Sequence, residues 1–406
     1  MSEWIKAEEY CVSVFDGTHD TPKVTETGYK LVTSKNILSN TLDLNSAYYI
    51  SEEDFVNINK RSKVKQYDIL FSMIGTVGSL YFETSDTIDY AIKNIGVFSC
   101  GNKEKAEWLY YYLQSSYAQQ YIKRYLNGAV QKFLPLKGLR EFPVPQFNKE
   151  LHNRIKILLN IDQKIQINNQ INQELEAMAK TLYDYWFVQF DFPDQNGKPY
   201  KSSGGKMAYN QDLKREIPEG WRVETLKNFE SKIITGKTPS RANSDNFGGE
   251  IPFITIGDIR GNTFVYSTSE SLTDLGASVQ QNKYLPEGSL CVSCIATVGE
   301  IGFTTEWSHT NQQINSIVFE DETNRYYLYF ALKNYFENAN ASAKTGNTFA
   351  NMNKEDFSGI RIILPRNEIK NNFHKITEPY FAQIKCLQGQ NQELTQLRDW
   401  LLPMLM

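Results

Sequence analysis

Three short arrangements in this 406-residue chain could do chemistry, and each lacks a part. Cys291-x-x-Cys294 has the spacing of half a zinc site or of a redox dithiol, but no second ligand pair accompanies it. The four histidines, His19, His152, His309 and His374, are not at ligand spacing either. Pro193-Asp194 with Lys198 holds part of a nuclease Pro-Asp…Lys set. Asn196 stands where the second carboxylate for Mg²⁺ belongs. Ile234-Thr235-Gly236-Lys237-Thr238 contains the tail of a P-loop. Ser231 fills the first glycine position and Pro239 obstructs the helix that must follow. No Asn-Pro-Pro-aromatic methyltransferase motif and no Gly-x-Gly fingerprint after a strand is present. The expectation is therefore a chain with no catalytic residue and no metal ligand of its own.

The cysteines are explained by a repeat. Lys30-Leu31-Val32-Thr33-Ser34-Lys35-Asn36-Ile37 returns in pattern as Pro252-Phe253-Ile254-Thr255-Ile256-Gly257-Asp258-Ile259. Asp68 to Gly78 returns as Ser289 to Gly299, which sets Leu70 and Met73 against Cys291 and Cys294. A position that accepts Leu, Met or Cys is a core position. Each half opens on a Trp (Trp4, Trp221) and a turn containing Gly, Thr and Pro (Gly17 to Pro22; Gly236 to Pro239). A period this long marks a duplicated domain rather than a solenoid, whose units run about 20–50 residues.

Within each half, short Thr/Val/Ile/Tyr-rich runs bounded by Gly, Asn and Asp read as strands. A helix is expected over Glu104 to Leu126. Prolines close each half, at Phe142-Pro143-Val144-Pro145 and Ile362-Ile363-Leu364-Pro365, and a heptad stretch follows each. Its seam is Ile161, Ile165, Asn168, Asn172, Leu175, Ala179, Leu182 and Trp186 in the first copy. In the second it is Tyr380, Ile384, Leu387, Asn391, Leu394, Arg398, Leu401 and Leu405. Asn172 and Asn391 share a heptad site, where a buried Asn fixes register. The expected helix-pair interface is Ile161, Ile165, Asn172, Leu175, Leu182, Ile384, Asn391, Leu394 and Leu401. Each helix, taken as about 38 residues at 1.5 Å rise, would be about 57 Å long. The duplication favours antiparallel packing about a pseudo-two-fold axis, with Ile161 near Leu405 and Asn172 near Leu394.

A net charge of −4 and a pI near 5.8 argue against coating nucleic acid by bulk charge, but not against local basic loops such as Lys60 to Lys65. The start of the chain lacks a signal-peptide core, and no apolar run approaches the roughly 18 residues that span a bilayer. A cytoplasmic protein with no membrane partner is expected.

Between the halves lie Trp186-Phe187-Val188-Gln189-Phe190, Asn196-Gly197-Lys198-Pro199-Tyr200, Ser202-Ser203-Gly204-Gly205-Lys206-Met207 and Ile217-Pro218-Glu219-Gly220-Trp221. By composition this is an exposed linker entered through an aromatic knot. By resemblance it is similar to the central region of the specificity subunit of type I restriction-modification systems. Gly236-Lys237-Thr238-Pro239-Ser240-Arg241 with Gly248 to Ile254 and Asp258-Ile259 resembles the start of that family's target recognition domain. Leu401 to Met406 resembles the family's C-terminal end, which commonly continues with Asn-Gly.

The resemblance implies an α+β chain with two similar α/β target recognition domains separated by two long antiparallel coiled-coil helices. The expected divisions are residues 1–147 and 219–366 for the recognition domains, 148–190 and 367–406 for the helices, and 191–218 for the linker. It further implies a non-catalytic subunit that reads a bipartite, interrupted target in double-stranded DNA. Two methyltransferase subunits would modify adenines, and restriction/translocase subunits would join for cleavage. S-adenosylmethionine, ATP and Mg would be bound by those partners and no cofactor by this chain. Alternatives are the recognition chain of a self-contained methylase/nuclease system and a coiled-coil scaffold with no DNA role. By residue type and loop position, the candidate DNA contacts are Lys23, Lys30, Lys35, Asn36, Lys132 and Lys137 in the first half. In the second they are Lys237, Arg241, Asn243, Arg260, Lys344, Asn347 and Asn351.

Overall fold

The computed structural model describes residues 4–38, 41–127, 133–343 and 351–405. It divides into two compact units, residues 1–164 with 395–406 and residues 165–394. Both long helices, Lys149–Tyr183 and Asn367–Leu405, are thus shared between the units.

The first unit is built on a four-stranded antiparallel sheet in the order Ser13–Asp16, Ile95–Ser99, Ile69–Ser72, Leu80–Phe82. The strand Ile69–Ser72 is buried on both faces because its alternate side chains enter different cores: Ile69 and Phe71 one, Leu70 the other. A second, three-stranded sheet sets Tyr29–Val32 between Tyr48–Ile50 and Tyr90–Ile92. The helix expected over Glu104 to Leu126 is two helices, Lys103–Gln114 and Ser116–Asn127. The break is at Ser115, which leaves helical geometry at ψ 155° and caps the next turn by accepting the Ala118 N–H at 3.3 Å. Trp4–Lys6 pairs with Pro143–Pro145, a two-stranded ribbon in which prolines with no N–H can sit.

The second unit repeats this plan. Its larger sheet runs Ile233–Thr235, Ile314–Ile317, Leu290–Ser293, Ile301–Thr304, Phe264–Val265, and Phe247–Ile254 lies between Glu270–Leu272 and His309–Thr310. Arg222–Thr225 pairs with Arg361–Leu364 as Trp4–Lys6 does with Pro143–Pro145. The repeat holds in local chemistry. Thr33 with Asn36 and Thr255 with Asp258 form the same capping box. Gly17 and Gly236 each leave no room for a side chain: a Cβ would stand 2.3 Å from the Ile92 carbonyl oxygen in one copy and 2.2 Å from that of Asn311 in the other. Cys291 and Cys294 enter two different cores, as Leu70 and Met73 do. Burial pushes the two thiols up to about 12 and about 11.

The segment 191–218 is largely exposed, as expected of a linker, but it is anchored on the second unit's core at both ends. After a π-helical turn at Asp184–Val188, Phe190 and Phe192 are buried, and Phe192 stacks between Tyr200 at 4.7 Å and Trp221 at 5.0 Å. A hairpin of Met207–Asn210 and Arg215–Pro218 returns Ile217 to the same core. Burial of these side chains holds the ends, while the Gly/Ser/Lys stretch between them stays exposed.

In the second unit the helices are antiparallel. Asn168 donates to Asn391 at 2.8 Å, Asn391 donates to Asn169 at 2.8 Å, and Tyr183, Trp186 and Phe187 meet Phe373 further along. Pairing Asn172 with Leu394 would have put Asn391 across from Leu175. The observed partner, Asn168, lies seven residues earlier, so the register differs from expectation by one heptad. In the first unit Arg398 meets Asp162 at 3.1 Å, and the Tyr111 hydroxyl donates to the same carboxylate at 2.5 Å. A one-heptad slide leaves the apolar seam intact, so polar partners decide between registers. Of the interface residues, Ile161, Asn172 and Ile384 are buried, and Leu175 and Leu182 pack on the second unit's core. Leu401 packs on the first unit's core, while Ile165 and Leu394 are half-buried.

Replacing Asn391 with Leu strands the Asn168 amide donor in a buried site, at a cost of about 1–3 kcal/mol. The thermal unfolding midpoint should fall accordingly, and the double change of Asn168 and Asn391 to Leu should recover most of it. A double variant no more stable than the single one would contradict this register device.

Candidate nucleic-acid interface

Among the described candidate residues Lys30 alone lies on a strand of a three-stranded sheet; the others stand on loops, short helices and a single bridge. In the first unit Lys23 and Lys35 are exposed, Lys35 on the one-turn helix Ser34–Asn36. Lys30 is pinned: its ammonium donates to the Ala47 carbonyl at 3.1 Å and lies 3.6 Å from the Tyr49 ring centroid. Lys137 is exposed on the short helix Leu136–Arg140. Lys132, Lys344 and Asn347 lie outside the described residues.

Asn36 is corrected. It is 4 % exposed, its Oδ1 accepts the Thr33 N–H and hydroxyl, and its Nδ2 donates to Asp43 and Ser46. Its amide holds the loop and faces no solvent. The hydroxyl of Ser46 in turn holds the Asp43 carboxyl below the usual range.

In the second unit Lys237 is exposed, and its backbone N–H is bound to Thr310. Asn243 is exposed and caps the one-turn helix Ser244–Asn246 by accepting the Asp245 N–H. Arg241 forms a two-pronged ion pair with Glu270, at 2.7 and 2.8 Å. Arg260 meets Glu300 and the Thr297 hydroxyl, both at 3.2 Å. Asn351 bridges Ile295, so it and Arg260 border the same turn, Cys294 to Gly299. The first unit matches this with Phe133 bridging Ile74. The structure thus gathers Arg260 with Asn351, and sets Arg241 and Asn243 at the small sheet.

Sequence reasoning missed Glu270 and Glu300, the carboxylates that hold the arginines, because their pairing depends on strands far apart in the chain. It also missed the exposed rings of Tyr48 and Trp307 beside the small sheets. The incomplete motifs resolve as structure. Asp194 accepts the backbone N–H groups of Asn196 and Lys198, which hold its carboxyl low and make a tight turn. The chain after Gly236 continues without a helix, unlike a P-loop.

One buried group makes the second sheet pH-sensitive. His309 is fully buried against the Tyr284 ring at 4.2 Å, neither ring nitrogen has a hydrogen-bond partner among the described residues, and burial lowers its pKa from 6.5 to about 4. The fold holds the neutral form, so its contribution is complete above the unfolded value and is lost as pH falls from 6.5 toward 4. Chemical denaturation at successive pH values should show stability falling through this window, and His309→Phe should flatten that fall. An unchanged slope in the variant would refute the assignment.

Residues 20–177 and 218–396 each match the type I restriction modification DNA specificity domain. The chain belongs to that family. It is 31 % identical over 404 residues to the type I restriction enzyme HindI specificity subunit of Haemophilus influenzae, covering 85 % of this chain and 87 % of that one. It is 26 % identical over 309 residues to the MjaIX specificity subunit of Methanocaldococcus jannaschii, covering 74 % and 68 %. Among solved structures it is similar to a type I restriction-modification S subunit from M. genitalium, at 14 % identity and a TM-score of 0.46, over 100 % of this chain and 96 % of that one. That last similarity is too low to carry an argument.

Proposed function

We propose that the chain is the specificity subunit of a type I restriction-modification complex, the part that selects the DNA sequence. The observation that carries this is the duplication: two family matches lie on the same internal fold with different side chains at equivalent places. Each unit reads one half of an interrupted target in double-stranded DNA. Half-sites read from one face of the duplex lie about 34–36 Å apart, one helical turn. Two methyltransferase subunits act on adenines with S-adenosylmethionine, and ATP-dependent restriction/translocase subunits, which also use Mg, join for cleavage. This chain supplies no catalytic group and binds no cofactor. Its place of work is the cytoplasm; among the described residues no helix is long and apolar enough to cross a membrane.

Exchanging residues 1–147 for the same region of a relative should change one half of the methylated sequence, read by mapping methylated adenines across a host genome. Change in both halves would refute modular reading. A second expectation concerns spacing. One heptad inserted into the first long helix near Asn172 should alter the gap between the half-sites or abolish activity. An unchanged gap with full activity would end the idea that the helices measure distance.

A further inference from the structure

The Arg241–Glu270 pair has more geometry than an ordinary surface ion pair requires. Nη1 and Nη2 of Arg241 meet the two Glu270 oxygens end-on, at 2.7 and 2.8 Å. The guanidinium carbon also lies 5.1 Å from the Phe247 ring centroid, within the range of a cation–π contact. The Arg241 side chain nevertheless remains 60 % exposed and that of Glu270 34 %. Exposed pairs of this kind add little stability, so folding alone does not account for the arrangement.

An end-on carboxylate uses one hydrogen on each terminal nitrogen. The Nε–H and the second Nη2 hydrogen remain, parallel, along the other edge of the guanidinium, and no residue among those described occupies the Nε–H. The open edge suits two adjacent acceptors. Guanine offers such a pair in the major groove, O6 and N7. A phosphate also offers two oxygens, but Glu270 has already offset the cation's charge, which favours the neutral acceptor pair over the anion.

The repeat supplies an independent observation. Aligning Pro22 with Pro239 sets Val24 at the position of Arg241. The strand registers set Tyr48, opposite Leu31, at the position of Glu270, opposite Phe253. Val24 and Tyr48 are exposed apolar side chains. One backbone therefore presents an arginine–carboxylate pair in one unit and an exposed valine and tyrosine in the other. Divergence at an exposed site on a shared scaffold is what reading two different half-sites requires.

We infer that the second unit reads a guanine through the Nε and Nη2 edge of Arg241, with Glu270 as the positioning residue that holds this edge outward. The inference rests on the proposed function.

The test uses the full complex of this chain with its methyltransferase subunits, on duplexes carrying the sequence found by adenine mapping. Each guanine of the half-site assigned to the second unit is replaced in turn by 7-deazaguanine, which lacks N7. One replacement should weaken wild-type binding by about tenfold, the scale of a lost base contact. Arg241→Ala should be insensitive to that replacement while keeping selectivity elsewhere in the site. Arg241→Lys keeps the charge but cannot bind two acceptors in a fork, so it too should lose discrimination at that base. Glu270→Gln should relax the same position and raise affinity for unrelated duplex, because a free cation is gained. If Arg241→Ala instead weakens binding equally on all duplexes with a shallower salt dependence, the contact is to phosphate and the proposal is overturned. Binding and selectivity unchanged in all variants would reduce the pair to a surface ion pair. A wild-type complex with no sequence selectivity would overturn the specificity reading itself.

Discussion

The seam between the two long helices is the contact on which both units depend. Neither recognition fold is closed by its own stretch of sequence. The core of the first unit takes in Leu401, Leu402 and Leu405 from the far end of the chain, together with Ile155 and Leu158. The core of the second takes in Ala179, Tyr183, Trp186 and Phe187 from the first helix and Phe373, Phe381 and Ile384 from the second. The polar contacts of Asn168, Asn169 and Asn391 in one unit, and of Asp162 and Arg398 in the other, set which helical turns face each other.

Much of this was legible in the letters because a duplication acts as a built-in comparison. Leu70 against Cys291 and Met73 against Cys294 identified core positions that a lone Cys-x-x-Cys would have disguised. The heptads were visible for the same reason. Their register was not, since moving one helix past the other by seven residues preserves the apolar seam, and the polar contacts of Asn168, Asn169 and Asn391 and of Asp162 and Arg398 distinguish the two alignments. The segment 191–218 was legible as an exposed linker from its glycines, serines and lysines, but not its anchoring, which Phe192 and Ile217 supply from within and Phe190 from just before it. Asn36 misled by type, because an Asn in a loop reads equally as a base contact and as a cap, and only burial separates them.

The two units show how a scaffold can be held constant while its surface changes. What is shared is inward or local: the capping boxes at Thr33 and Thr255, the crowded glycines at 17 and 236, and the strand buried on both faces. What differs is outward, as where Val24 and Tyr48 face Arg241 and Glu270 across the repeat. Asn36 and its counterpart Asp258 are an instructive intermediate, since the residue changes while the two hydrogen bonds it accepts do not. A polar residue in a recognition loop is therefore informative only once its partners are known.

The position of residues 395–405 against the first unit has a consequence for the order in which the molecule can form. Synthesis proceeds from the N-terminus, so the rest of the first unit leaves the ribosome long before Leu401, Leu402 and Leu405 exist to pack on its core. Residues 165–394, by contrast, are complete before the final turns of helix are made. The half synthesised first is thus the half completed last, and through the intervening time its apolar face is a surface open to other chains.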